Sequence, residues 1–195
     1  MYQLLMNGST VGLLFQVIPV VLVVGGIYAL SRFSLCRRKG EHFSHQKIID
    51  CLFVCYLTGL ISLILVPNNL WTALWFYIYN GYPGCIIGPL LVPNFNFTPT
   101  IFLWLKGEII PSKWGITMLL LNFLMFLPMG VFLPQEFKGL HNKNIIATAV
   151  AISAIIELIQ PIIGRSFDVD DIVMNSLGII CGRIIFAVIE RKKKK

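Results

Sequence analysis

The last quarter of the chain places a dense group of charged and amide side chains within strongly apolar sequence. Seven of them fall within nineteen positions, namely Glu157, Gln160, Arg165, Asp168, Asp170, Asp171 and Asn175. Burying a charge in hydrocarbon costs several kcal/mol, so a carboxylate inside a membrane helix indicates a functional site. The sequence therefore predicts that the protein acts through this region.

The spacing of the polar residues predicts that several of them face one pocket. Two runs repeat the offsets i, i+4, i+7 and i+11 of a single helical face: Ser153, Glu157, Gln160 and Gly164, and then Asp171, Asn175, Gly178 and Gly182. Asn122 is the strongly polar residue of the preceding apolar segment. At 1.5 Å per residue, Asn122, Glu157 and Asn175 should lie roughly 5–12 Å below the outer surface. We expect one outward pocket, closed above by Arg165 and the turn at 168–171.

Each member of this group also has a structural alternative. Glu157 and Arg165 could form an ion pair that fixes the end of a helix. Asp168 and Asp171 could cap the last helix, because carboxylates satisfy the free N–H groups of a first turn. Asn122 could simply join helices through a hydrogen bond. Clustered carboxylates also suit hard cations, which makes Asp168, Asp170 and Asp171 weak candidates for a metal site. No cofactor is expected.

Composition places the chain in a membrane. It has 195 residues, of which 56% are hydrophobic and 13% are charged, and its mean hydropathy is +0.79. Soluble domains carry about twice that charged fraction. The net charge of +7 would suggest nucleic acid in a soluble protein. Here the basic residues cluster at helix ends, where they orient a membrane protein and contact anionic lipid, so no nucleic-acid partner is expected.

The predicted fold is an all-α membrane protein with about five transmembrane helices. About twenty apolar residues cross a bilayer as a helix, and five segments qualify: 11–30, 48–66, 114–133, 144–163 and 172–190. We divide the chain into an N-terminal two-helix region (1–66), an outer interfacial or re-entrant segment (67–113), a three-helix core (114–190) and a basic cytoplasmic tail (191–195). The prolines at 83, 89, 93 and 99 argue against a straight helix in the outer segment.

The distribution of basic residues predicts the orientation. Five alternating spans place twelve Lys and Arg residues on one side and three on the other, with Arg183 inside the last span. Cytoplasmic loops carry the excess of Lys and Arg. The N-terminus should therefore lie outside and the C-terminus inside, so that the turn at 164–171 faces outward.

The order of the motifs resembles the VanZ-like family of small bacterial membrane proteins. The resembling residues are Asn122, Phe126, Pro128 and Gly130, then Glu157 and Gln160, then Arg165, Phe167, Asp168, Asp170 and Asp171, and then Asn175, Gly178 and Gly182. Asn94–Pro99 is similar to the family segment that precedes them. The resemblance covers about residues 90–189. It implies a four- or five-helix membrane protein and a link to reduced susceptibility to teicoplanin-type glycopeptides, but it implies no particular reaction.

We therefore expect a multi-pass protein of the bacterial plasma membrane whose outward pocket engages a cell-envelope component. Its partners would be membrane lipids and a lipid-linked or peptidoglycan-derived group. Arg165 would contact an anionic moiety, because its fork binds phosphate or carboxylate bidentately. Two alternatives remain open: a divalent-cation-dependent membrane enzyme acting on isoprenoid-phosphate or phospholipid substrates, and a structural scaffold.

Overall fold

Helices account for nearly all of the regular structure. The computed structural model describes residues 10–40, 42, 44–110, 112–137 and 144–193. In chain order, its elements are α1 (Thr10–Lys39), α2 (His45–Ile64), α3 (Leu70–Asn80), β1 (Phe95–Asn96), α4 (Thr100–Leu105), α5 (Lys113–Glu136), α6 (Ile145–Ile159), a 3-10 turn (Gln160–Ile163), β2 (Phe167–Asp168) and α7 (Val169–Lys193). By length and composition, α1, α2, α5, α6 with its 3-10 turn, and α7 can each cross a membrane. The all-α class and the five spans are confirmed.

Most span boundaries lie within a few residues of those predicted. The first and last helices run further than expected: α1 continues through the basic residues to Lys39, and α7 continues to Lys193. Lys and Arg are good helix formers, so a basic run need not end a helix. Two basic residues of the loop before α6, Lys138 and Lys143, lie outside the described residues.

The chain forms two compact units. The first comprises Met1–Val92 together with Ile163–Arg165, and the second comprises Pro93–Ile162 and Ser166–Lys195. In the first unit α1 packs against α2 and α3. Arg32 and Asp50 form an ion pair of 2.9 Å between α1 and α2. Gln16 is fully buried on α1 and exchanges hydrogen bonds of 3.1 and 3.3 Å with Thr72 of α3. These bonds hold α3 against the apolar helix α1.

The segment predicted to be interfacial or re-entrant contains two short helices and one short strand. Helix α3 ends at Gly81, which adopts a left-handed conformation with φ of 77°. The N–H of Gly81 donates a hydrogen bond to Tyr77 O. Residues 81–99, which hold the four prolines, contain no helix. Helix α5 then begins beyond Ser112, whose hydroxyl accepts from Gly115 N at 3.0 Å. The location of the segment at the membrane surface stays a prediction.

Glycines set the closest helix contacts of the second unit. A Cβ at Gly178 would overlap the carbonyl oxygen of Phe123, and one at Gly182 would overlap that of Leu127. On the facing helix, a Cβ at Gly130 would overlap the backbone of Ile179. Helices α5 and α7 therefore approach backbone to backbone, as small residues permit in membrane proteins. Gly178 and Gly182, which the repeated spacing places on one face of the last helix, therefore both lie in the contact with α5.

A two-stranded parallel sheet joins distant parts of the second unit. Phe95 pairs with Phe167 and Asn96 pairs with Asp168, and Phe167 N donates to Asn94 O at 2.8 Å. The strand β2 ends immediately before α7 begins. The segment before α4 is therefore held at the N-terminal end of α7.

Candidate functional site

Glu157 is the most deeply buried ionisable group of the predicted cluster, with 0% of its surface exposed. It projects from α6 on the same face as Ser153 and Gln160, and all three are buried. The one-face prediction is therefore confirmed for these three residues. It is wrong for Gly164, which follows the 3-10 turn with φ of 81° and lies beyond the helix. Glu157 Oε2 accepts a hydrogen bond of 3.1 Å from the backbone N of Asp168, so the carboxylate reaches the short strand that precedes α7.

Asp168 connects that strand to β1 and to the first turn of α7. Its Oδ2 accepts from Asn96 Nδ2 at 3.1 Å, and its Oδ1 accepts from Asp170 N at 2.9 Å. The second bond is the contact expected of a residue that caps a helix N-terminus. The predicted capping role of Asp168 is therefore confirmed, and the same carboxylate also fixes Asn96.

Asp170 caps a different helix. It is 3% exposed, and its carboxylate oxygens accept from Thr100 N at 2.7 Å and Ile101 N at 3.4 Å. These are the first N–H groups of α4, where the preceding Pro99 has no side-chain acceptor to offer. Asp170 supplies the missing acceptor from α7.

The weak metal-site candidates Asp168, Asp170 and Asp171 lie around the start of α7. Among the described residues, no three His, Cys, Asp or Glu side chains lie together as a metal site would require. Asp168 and Asp170 direct their oxygens at backbone N–H groups, as helix caps do, while Asp171 is half-buried in the first turn of α7.

Asn175 and Ser176 are buried on α7, where Ser176 meets the buried Ser153 of α6. Ser176 Oγ lies 3.1 Å from Ser153 Oγ and donates to Ile172 O at 2.6 Å, which joins α7 to α6. Asn175 is 2% exposed, and within the described part of the chain its Oδ1 accepts no hydrogen bond. A buried polar oxygen without a donor is costly in free energy. Asn122 is half-buried on α5.

Arg165 lies in the first unit, whereas the other predicted site residues lie in the second. Its Nη1 donates to Leu63 O at 2.6 Å, near the end of α2. It also lines a cavity of about 170 Å³ beside the start of α3. Within the second unit, the structure joins Glu157 to Asp168. The predicted pocket, which stays a prediction, comprises Asn122, Glu157, Gln160, Arg165, Asp168, Asp171 and Asn175.

Sequence reasoning missed two polar contacts that shape these units. Asn96 was not selected as a site residue, because a two-residue strand carries no detectable periodicity. Gln16 was also missed, although it is a strongly polar residue in an otherwise apolar span. A polar residue inside a membrane segment was a usable signal, because such a residue needs an internal partner.

The comparisons place the buried cluster within a known family. The model of the VanZ/LLP1 family matches residues 53–190, which is more than half of the chain and includes every predicted site residue. No curated protein and no solved structure matches the chain. The chain is a multi-pass membrane protein by its five apolar helices, and it belongs to the VanZ/LLP1 family.

Proposed function

We propose that this protein binds a cell-envelope component through its polar membrane residues and thereby reduces susceptibility to teicoplanin-type glycopeptides. In this proposal it resides in a bacterial plasma membrane, with the β1–β2 end of the second unit facing outward. Its ligand is a lipid-linked or peptidoglycan-derived group. In this proposal the protein acts as a binder.

The observation that carries the proposal is the complete burial of Glu157 on a helix apolar enough to span a membrane. Such a group is expensive to keep in hydrocarbon, and an apolar residue of similar size would pack there at lower cost. Retaining a carboxylate at this position is therefore best explained by a use for its charge.

The surroundings of Glu157 support recognition of a polar ligand. Asn96 and Asp168 provide amide and carboxylate groups at the helix ends, and both are half-buried. Asn175 adds a buried acceptor that no described group satisfies, which suits an N–H or O–H donor of a ligand. Hydrogen bonds to fixed, partly desolvated groups give specificity because the wrong ligand leaves them unpaired.

The scaffold alternative is favoured by a different observation. The hydrogen bonds of Asp168 and Asp170 go to groups of the same unit, and the α5–α7 contact is built on glycines. In a scaffold, the polar groups would only lock helix ends together. The two functions make different predictions for a variant that folds normally but lacks the Glu157 charge. A binder would lose activity, whereas a scaffold would keep it.

The test compares two substitutions at Glu157 in a teicoplanin-sensitive bacterial host. Glu157→Gln keeps the size and the acceptor for Asp168 N but removes the charge, whereas Glu157→Leu removes the polar group altogether. If the protein is a binder, the wild-type protein should lower the susceptibility of the host to teicoplanin. Both variants should lose this effect even when the amount of protein in the membrane equals that of wild type. Arg165→Lys should lose it as well, because lysine lacks the planar fork.

Quantitation of each protein in membranes is the control, together with Glu190→Gln at an exposed position of α7. Full activity of Glu157→Leu, or loss of activity only in step with loss of protein, would favour the scaffold. An unchanged susceptibility with wild type itself would refute the proposed resistance role.

A further inference from the structure

A cavity of about 170 Å³ lies in the first unit where α2 ends and α3 begins. Its lining includes Leu63 and Val66 from the end of α2 and the following turn, Asn68 and Asn69 before α3, and the side chain of Arg165. The cavity is roomy enough to hold more than a single water, and its lining combines apolar side chains with polar ones. Among the described residues of the lining, the one charged side chain is that of Arg165, so the cavity suits an anionic occupant.

Arg165 is positioned in this cavity by its own hydrogen bond. Nη1 donates to Leu63 O at 2.6 Å, and this bond orients the planar guanidinium. Arginine recognises phosphate through several N–H donors in a fixed plane, and a pre-oriented plane loses less entropy on binding. This bond therefore fixes the orientation of the guanidinium at the cavity wall.

The beginning of α3 adds to the positive character of the same cavity. Leu70, Trp71 and Thr72, the first three residues of this eleven-residue helix, are all part of the lining. Asn69 has a left-handed backbone with φ of 64°, and its side chain makes no capping bond to them. Leu70 N donates to Pro67 O at 3.2 Å. Without a side-chain cap, the N–H groups of Trp71 and Thr72 and the positive end of the helix dipole are left for an anion.

Two features tie the cavity to the lipid headgroup layer. Helix α3 carries Trp71, Trp75, Tyr77 and Tyr79, residues that collect at the water–lipid boundary. The Gln16–Thr72 hydrogen bonds and the bond from Trp75 Nε1 to Gln16 O, 3.0 Å, fix α3 to the spanning helix α1. Lipid phosphates occupy the same boundary, so an interfacial location of α3, as predicted from the sequence, would bring them to the cavity.

We propose that the Arg165 cavity binds the phosphate group of a membrane lipid. This inference rests on the proposed function, to which it assigns a ligand chemistry: the envelope component is held by its phosphate. It differs from a purely structural role for Arg165, in which the Leu63 bond would only close the end of α2. A structural role requires the bond but makes no use of the empty space.

The experiment measures binding by native mass spectrometry on protein purified in a phosphate-free maltoside detergent and stripped of lipid. The probes are dihexanoyl-phosphatidylglycerol, the phosphate-free dihexanoylglycerol and inorganic phosphate. The variants are Arg165→Gln, which removes the charge, and Val66→Phe, which fills the cavity and leaves Arg165 in place. Lys106→Gln, at an exposed lysine of the other unit, is the matched control.

We expect one phosphatidylglycerol per chain, with affinity reduced about tenfold or more in both cavity variants, as loss of a charge-assisted contact predicts. Lys106→Gln should bind as wild type does, and dihexanoylglycerol should not bind. Wild-type affinity of Arg165→Gln, or equal binding of dihexanoylglycerol, would overturn the proposal. Inorganic phosphate binding as tightly as the lipid would overturn the lipid assignment.

Thermal unfolding of each variant shows whether it remains folded, and Val66→Phe keeps the test decisive if Arg165→Gln unfolds. Because the assay does not involve Glu157 or teicoplanin, its failure is separable from failure of the proposed function. A negative binding result beside an active Glu157-dependent phenotype would reject the phosphate cavity alone.

Discussion

The buried carboxylates of the second unit accept hydrogen bonds chiefly from backbone N–H groups at helix and strand ends. Glu157 accepts from Asp168 N, and Asp168 accepts from Asp170 N. These groups form a chain in which one carboxylate orients the backbone that carries the next. A charge-assisted bond contributes about 1.5–3 kcal/mol, roughly twice a neutral one. The chain therefore fixes the entry into α7 and places Asn96 beside it.

The role of Asp170 leads to a prediction about α4. Replacing Asp170 with Ala removes the acceptor for Thr100 N and Ile101 N, and loss of such a cap costs about 0.5–2 kcal/mol. We expect faster hydrogen–deuterium exchange in residues 100–105 of Asp170→Ala, while α5 and α6 keep their wild-type protection. Glu190→Ala, at an exposed residue of the same helix, should leave the exchange of residues 100–105 unchanged. Unchanged protection in Asp170→Ala would mean that Asp170 does not stabilise α4.

At the scale of elements, the second unit depends on how closely α5 and α7 approach. The carbonyls of Phe123 and Leu127 occupy the space that side chains at Gly178 and Gly182 would need. Phe123 contacts Gly178, and four residues later Leu127 contacts Gly182. Because the residue numbers increase in the same direction on both helices, α5 and α7 run parallel. In the absence of a hydrophobic driving force between membrane helices, such backbone contact supplies much of the packing energy.

A pair of glycine substitutions tests this contact. We expect Gly182→Ala to lower the free energy of unfolding by about 1–3 kcal/mol, because the added methyl group overpacks the interface. Gly26→Ala is the control, since a Cβ at Gly26 of α1 meets no atom within 4 Å. That variant should be as stable as wild type or slightly more stable, because alanine favours helix. Reversible unfolding in mixed detergent micelles measures both, and equal stability would show that α5 and α7 can separate without cost.

The sequence predicts those elements whose length or repeat is set by a simple geometric constraint. The five spans follow from the thickness of hydrocarbon, and the shared face of Ser153, Glu157 and Gln160 follows from helical periodicity. The β1–β2 pair was not predictable, because two residues on each strand carry no pattern and pair across 72 positions. Nor did spacing reveal that Asp170 caps a helix so far away in sequence, since this contact depends on how the chain folds back.

At the scale of the whole molecule, the five spans imply that the two ends of the chain lie on opposite sides of the membrane. The third and fifth spans, α5 and α7, run parallel, as alternating crossings require. Crossing number alone does not fix which side is the cytoplasm. The distribution of basic residues predicts which side it is, because Arg37, Arg38 and Lys39 end α1 and a basic run ends α7.

This distribution predicts the orientation on which the proposed function depends. We expect reporters fused after Gly40 and after Lys195 to report a cytoplasmic location, while one fused after Arg165 reports the outside. The physical reason is that Lys and Arg in short loops resist translocation, and twelve of them lie on the predicted inner side against three on the other. Paired alkaline phosphatase and green fluorescent protein fusions give opposite signals on the two sides, so each position carries its own control. Exchanging Arg37, Arg38 and Lys39 for Gln should weaken the preference if these charges set it. A cytoplasmic signal after Arg165 would place the β1–β2 end of the protein inside, away from any envelope ligand, and would contradict the proposed function together with the orientation.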